Sequence, residues 1–350
     1  MSSGASATRL APRRVGVELV ATPLPMPAEF AAQDWLWIAF PHRSDLWEEF
    51  TAPAQEQMAA YANAVAETGQ RVRLVVHDAA NEARAKELVS GAVEIERHPY
   101  GAIWIRDTGP IVLFDKSGRR FAQRFRFNGW GGKYDDMEGD QEVGESLARA
   151  GGLETQFADW VLEGGAIDSD GTGLVVTTEE CLLNPNRNPG LSQAGIEMRL
   201  ERDLGFDRVL WLGKGLACDH TDGHVDNLAR FVAPNTLAIP LATGPDDPNA
   251  AVYEDARARA RDFGVIVRDV PSPGRVEAAD LVEPASYMNF TICNGVVVVP
   301  TYGTVHDAEG VAAIGELFPE RATVGLPADA VLSGGGSFHC ASQHAPAAPR

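Results

Sequence analysis

The sequence predicts an α/β protein assembled from about five copies of one small unit, strands plus a single helix. Three observations predict it. A helix-periodic stretch is followed at once by a short apolar, β-branched stretch five times along the chain. The helix ends, taken at Gly69, Gly151, Gly205, Gly264 and Pro319, fall 82, 54, 59 and 55 residues apart, regular after the first. Further strand pairs lie between these units, the clearest being "NFTICNGVVVVP", whose Asn294-Gly295 dipeptide signals a type I′ hairpin. Units of this kind cannot bury their faces alone, so they are expected to close around a common axis or to stack in a row. Alternation by itself would also suit a doubly wound sheet, but no G-x-G-x-x-G follows the first strand.

In chain order, "TAPAQEQMAAYANAVAETG" places Met58, Tyr61 and Val65 on one helical face, with Thr51 as the expected cap, Pro53 in the first turn and Gly69 at the end. The strand "VRLVV" follows. A weaker copy pairs "QEVGESLARAGG" with "TQFADWVLEGG"; then come "SQAGIEMRLERDLG" with "RVLWL", "YEDARARARDFG" with "VIVRDV", and "AEGVAAIGELFPE" with "ATVGL". Residues 1 to 15 are expected to be disordered and 16 to 350 to form one catalytic domain. The stretch "MSSGASATRLAPRRVG" lacks the apolar segment of a secretory signal, although a transit peptide could share its Arg, Ser and Ala content. No apolar run is long enough to cross a bilayer.

The formal net charge of -19 disfavours nucleic acid and anionic membranes as partners; it suits a cationic small molecule, or simply solubility. Cys181, Cys218, Cys293 and Cys340 form no C-x-x-C pair, which fits a reducing cytoplasm better than a disulfide framework.

Four of the five units are followed by a Gly-flanked stretch carrying ionisable groups: "WIRDTGP", "LEGGAID", "DHTDGHVDN" and "GGGSFHC". Such stretches suit loops crowding one pocket. They offer Asp107, Glu163, His224, Asp226 and Cys340. A thiol with a distant imidazole points to covalent catalysis, a pairing that proteases and amidases also use. The acids discriminate, because negative charge beside a thiol suppresses the thiolate unless a cation fills the cage. Two carboxylates opposed across a planar, donor-rich cation describe guanidinium recognition.

The blocks "MPAEF", "WIRDTGP", "FNGWGGKY", "LEGGAID", "TTEECLLNPNRNPGLS", "TDGHVDN" and "GGGSFHC", in this order from residue 26 to 346, resemble the agmatine deiminase and bacterial peptidylarginine deiminase family. The resemblance implies the guanidine-modifying, or pentein, fold: a five-bladed pseudo-symmetric α/β-propeller of ββαβ-type repeats around an axial site. It implies that Cys340 attacks the guanidinium carbon and that His224 protonates the departing amine and later activates water. Asp107 and Asp226 would hold the guanidinium nitrogens, and Glu163 would orient His224. Trp104 is expected to line the substrate's aliphatic stem or to fill core, with Trp130, Asp219 and His220 as further substrate contacts. No cofactor or metal is implied, the partner is a small cationic guanidino substrate, and such folds commonly self-associate.

Other readings stay open at this point. His220, His224 and Asp226 have metal-ligand chemistry. An amidinotransferase would share the thiol intermediate, and a silent guanidino-binding module would share the cage. His339 is expected to point away from the nucleophile, and Cys181 to pack. The chain departs from the family where His220 follows Asp219 in place of a second acid, where "AID" replaces "SIH", and where Ser337 stands for Asn. These departures bear on the substrate's tail more than on guanidine hydrolysis.

Overall fold

The computed structural model describes residues 22–278 and 281–348; the stretch 1 to 15, expected to be disordered, lies outside them. The α/β expectation holds, as separate mixed sheets and not one doubly wound sheet. Five sheets repeat one strand pattern. A short outer strand runs antiparallel to a middle strand, which runs parallel to a third strand that arrives after a helix.

Ile111–Phe114, Arg120–Arg126 and Glu154–Val161 form one such set, reached through the helix Asp140–Ala150. Ile167–Ser169, Leu174–Thr178 and Arg208–Leu212 form the next, through Gln193–Leu204. Arg230–Ala233, Thr236–Leu241 and Ile266–Pro271 follow, through Ala250–Phe263. Thr291–Ile292, Val296–Thr301 and Ala322–Pro327 come last, through Asp307–Leu317. The remaining set joins the two ends of the described chain: Ser342–Pro346 lies antiparallel to Gln33–Ala39, which is parallel to Val72–Val76 beyond the helix Thr51–Ala66.

Every helix-strand pair read from periodicity is present. Middle and third strands such as Leu174–Thr178 and Val72–Val76 are buried along their whole length, because helices and neighbouring sheets cover both faces. The helix Gln193–Leu204 shows the expected punctuation: Ser192 accepts from Gly195 N, and Gly205 ends it at φ 76°.

Three details differ. Thr51 is the first helical residue and not the cap; its hydroxyl donates back to Glu48 O at 2.8 Å, because a 3-10 turn over Glu48–Phe50 leads directly into the helix. The hairpin at Asn294-Gly295 forms, yet neither residue takes the positive φ of a type I′ turn. Asn294 instead uses its side chain across the fold, accepting from Gln33 N at 2.9 Å and donating to Gln33 O at 2.8 Å. Periodicity also passed over the helix Ala79–Leu88 and the strand Val93–Arg97, which add a fourth strand to the first sheet. Among the described residues no helix is long and apolar enough to cross a membrane.

Candidate active site

The fold carries the chemistry to the entrances of the short outer strands. Asp107, Glu163 and Asp226 each stand four residues ahead of such a strand, and Cys340 stands two ahead. Asp107 comes after the strand Val93–Arg97, and Glu163, Asp226 and Cys340 come after third strands, so the connections entering four different sheets deliver their side chains to one place. All five residues read from the ionisable stretches are buried.

They do meet. The Cys340 sulfur is 3.6 Å from Asp226 Oδ2. His224 Nδ1 lies 3.6 Å from Asp107 Oδ1, and its Nε2 lies 3.8 Å from Glu163 Oε2. Gly165 sits among them, its N–H donating to Asp107 Oδ1 at 2.9 Å. A Cβ there would come within 2.6 Å of His224 Nδ1, 2.9 Å of Asp107 Oδ1 and 3.1 Å of Asp226 Oδ2.

The pattern of satisfied and unsatisfied atoms is selective. Glu163 Oε1 is ion-paired with Arg187 Nε at 2.7 Å, and Asp226 Oδ2 is bonded to His339 Nδ1 at 2.7 Å. Glu163 Oε2, Asp226 Oδ1 and both ring nitrogens of His224 are buried without a hydrogen-bond partner. Buried acceptors left open at a cost of about 1–3 kcal/mol each mark a place built to receive donors.

Burial raises the Asp107 carboxyl above its usual range, and Asp226 and Glu163 add to this against the pull of His224. Burial would lower the His224 imidazole, but Asp107 and the adjoining Cys181 and Glu163 outweigh it and hold it well above its ordinary value. Burial, then Asp226 and Asp107, push the Cys340 thiol up. For Asp226 and Glu163 the desolvation by burial is overcome, by His339 for Asp226 and by His224 and Arg187 for Glu163, so both carboxyls lie below their usual range.

A cavity opens onto this cluster, lined by Leu46, Trp104, Asp107, Trp130, Tyr134, Met137, His220, Thr221, Gly334, Gly335 and Cys340. Trp130 donates its Nε1–H to Asp107 Oδ2 at 2.9 Å, which fixes that carboxylate as well as walling the cavity. Trp104 both lines the cavity and belongs to the core. The glycines ahead of Cys340 make room for indoles: a Cβ on Gly336 would lie 2.7 Å from Trp104, and one on Gly334 would lie 2.6 Å from Trp47.

Two of the substrate contacts expected from sequence sit differently. Asp219 is not part of the lining; its Oδ1 accepts from Thr221 N at 2.8 Å and Thr221 Oγ1 at 2.6 Å, because an Asp at this point of a tight loop is captured by the backbone ahead of it. His220 does line the cavity, but it is exposed at the rim, with Nδ1 3.1 Å from the Tyr134 hydroxyl. That exposure separates it from the fully buried His224, so the His220, His224 and Asp226 metal grouping does not form. Among the described residues the only trio of potential ligand atoms within 4.8 Å of one another is Glu163, Cys181 and His224. Cys181 is buried, as expected of a packing thiol, but it packs against Glu163 and His224. His339 makes structural bonds, as expected, yet one of them reaches Asp226.

Several site residues escaped the sequence reading. Arg187 lies in "NPNRNPG", read only as a fixed loop; besides Glu163 it holds Asp222 at 2.6 Å and Thr221 O at 2.7 Å, locking the His224 loop. Glu29, in "MPAEF", receives His339 Nε2 at 2.8 Å, Arg106 at 3.1 Å and Arg230 at 3.1 Å. Asn289, in an apolar stretch, reaches the Cys340 sulfur at 3.0 Å. Glu29 and Arg187 stood inside blocks quoted for the family resemblance; Asn289 carried no charge to draw notice.

The Porphyromonas-type peptidyl-arginine deiminase family matches over residues 25–346. The agmatine deiminase of Stutzerimonas stutzeri (strain A1501) is 37% identical over 356 residues, covering 92% of this chain and 95% of that one. The structure of an agmatine deiminase of Enterococcus faecalis superposes with a TM-score of 0.89 at 29% identity, covering 95% of this chain and 99% of that one. An amidinotransferase from Microseira wollei shares the fold alone, at TM-score 0.55 and 11% identity over 94% of this chain and 99% of that one.

Proposed function

From the premise that this chain belongs to the Porphyromonas-type peptidyl-arginine deiminase family, we propose that it hydrolyses agmatine to N-carbamoylputrescine and ammonia. The chemistry is that of the relatives named agmatine deiminase along nearly their whole length. The observation that carries the reading is a thiol set among acids: Asp226 Oδ2 lies 3.6 Å from the Cys340 sulfur, Asp226 Oδ1 is buried without a partner, and Asp107 lines the same cavity as Cys340. A guanidinium, with five N–H donors on a flat frame, satisfies such a set.

In this reading Asp107 and Asp226 hold the guanidinium nitrogens and set its carbon over Cys340. An opposite charge at about 4 Å and an effective dielectric near 20 contributes about 4 kcal/mol before desolvation, so the bound cation offsets the two acids that disfavour the thiolate. The sulfur adds to the carbon. His224, protonated beside Asp107 and Glu163, gives its proton to the departing nitrogen, and ammonia leaves an amidino-thioether. His224 then takes a proton from water, whose oxygen adds to the same carbon; the C–S bond breaks and the ureido product is released. The carbon is already polarised by its positive charge, so no step is routed through a metal.

Glu163 positions His224, with Arg187 fixing its other oxygen. Trp104 and Trp130 wall the guanidinium's path, and His220 meets the distal end of the substrate. The five like sheets are read as blades of a pseudo-symmetric ring, a reading supported by their shared strand pattern and by the pairing of Ser342–Pro346 with Gln33–Ala39. A soluble, cytoplasmic enzyme fits the free cysteines.

Ammonia release from agmatine, arginine and an arginyl peptide tests the reading, with Cys340→Ser alongside. The expected result is fastest release from agmatine and none above background from Cys340→Ser. Equal turnover by Cys340→Ser, or preference for the peptide, overturns it.

A further inference from the structure

We propose that Asn289 is a further catalytic residue: its side-chain amide donates a hydrogen bond to the Cys340 sulfur, aiming it and stabilising it as a thiolate before attack and as it departs. The proposal deepens the covalent-thiol reading above and rests on it.

The placement is the first argument. Asp107, Glu163, Asp226 and Cys340 come from the entrances of four of the five repeated sheets. Asn289 occupies the same point of the fifth, two residues ahead of the outer strand Thr291–Ile292, and like Glu163 and Asp226 it lies beside or within a 3-10 turn. It fills the one entrance whose last four residues, Tyr287 to Phe290, hold no carboxylate, imidazole or thiol.

The second argument is that its amide can face only one way. Oδ1 receives two backbone donors, His339 N at 3.0 Å and Cys340 N at 3.2 Å. An NH2 group in that position would meet two N–H groups head-on, so the amide nitrogen is fixed on the opposite side. There Nδ2 has two protons and two acceptors: Asn227 Oδ1 at 2.8 Å and Cys340 Sγ at 3.0 Å. All four hydrogen-bonding positions of this buried amide are used.

The third argument is electrostatic. The sulfur lies between Asp226 Oδ2, which can only accept and therefore favours the S–H form, and Asn289 Nδ2, which can only donate and therefore favours S⁻. In the acid-rich cage the amide is the one side-chain donor among the described residues that reaches the sulfur whether or not substrate is bound, alongside the backbone N–H at Ser337. Arg230 secures the segment that carries it, donating to Met288 O at 3.2 Å and Phe290 O at 2.7 Å on either side of Asn289.

The test uses Asn289→Ala and Asn289→Ser; the serine keeps a hydroxyl for the backbone donors but is too short to reach the sulfur. The neutral reagent iodoacetamide reports the thiolate fraction without turnover, and peptide mass spectrometry separates Cys340 from the exposed Cys218. Both variants are expected to raise the pH mid-point of Cys340 alkylation by about one pH unit or more, and to lower kcat on agmatine about 10- to 100-fold with a much smaller change in KM. Variants that melt like the parent and give its alkylation profile overturn the proposal, and so does a fall in kcat with no movement of the mid-point, which a mere backbone clamp would produce. Should neither variant fold, the side-chain amide resonances of Asn289 in the 15N-asparagine-labelled parent are expected to shift with the Cys340 mid-point; resonances that ignore it overturn the proposal. Failure of the underlying reading looks different: Cys340→Ser would turn over agmatine, whatever Asn289 does.

Discussion

The Cys340 sulfur and Asp226 Oδ2 stand 3.6 Å apart, a thiol donor facing a carboxylate acceptor that His339 Nδ1 already holds at 2.7 Å. In the free protein this contact favours the neutral thiol. Burial and the two acids push Cys340 up, while Asp107 and Glu163 hold His224 up against burial. The sign follows for kcat/KM. A raised thiol means that thiolate is scarce until pH climbs, so the acid limb lies on the alkaline side of neutrality. A raised imidazole means that the proton needed by the leaving amine persists into the same range, and activity is lost as pH passes the His224 value. Bound guanidinium stabilises the thiolate, so the acid limb of kcat is expected at lower pH than that of kcat/KM. Initial-rate profiles on agmatine check this; coincident acid limbs contradict substrate-assisted activation.

Gly165 is the close approach on which the cluster depends. Its φ is not in the left-handed region, so alanine strains nothing in the backbone, but the added methyl would stand 2.6 Å from His224 Nδ1. The imidazole must move by roughly 1 Å, which at a reacting centre costs about 100-fold in rate. Gly165→Ala is therefore expected to lower kcat on that order. Its melting temperature should fall by only a few degrees, as measured by circular dichroism alongside ammonia release. Near-parent activity would mean that His224 is not the proton carrier.

His220 stands at the rim, within 3.1 Å of the Tyr134 hydroxyl and close enough to Glu283 to pull its carboxyl down against the burial that raises it. An imidazole, unlike a carboxylate, brings no negative charge to a substrate's distal ammonium. His220→Glu restores an acid at the mouth of the cavity, and a partly exposed ion pair of about 1 kcal/mol corresponds to roughly fivefold. The ratio of kcat/KM on agmatine to that on arginine is expected to rise by about that factor. An unchanged ratio would show that the tail does not pass His220.

Sequence by itself determined the repeat and the reactive kit. Helical and strand periodicity are local properties, so all five helix-strand pairs could be read, and a thiol, an imidazole and three carboxylates flanked by glycine announce themselves by chemistry that apolar neighbours lack. What joins those groups is not local. Glu29 meets His339 across 310 residues of chain and Asn289 meets Cys340 across 51, and no periodicity encodes such pairings. Asn289 is the sharpest case, a neutral amide inside "SYMNFTIC" that looks like part of a strand entrance until the fold turns it onto the sulfur. Tertiary structure also decided that Asp219 serves its own loop while His220 reaches the cavity, because in a tight turn the backbone claims the nearest carboxylate and leaves the next side chain free. Residue types thus set which reaction the chain could run. The crossing of five strand entrances set which atoms are close enough to run it, since hydrogen bonds and proton transfers act over about 3 Å and sequence distance says nothing about that length.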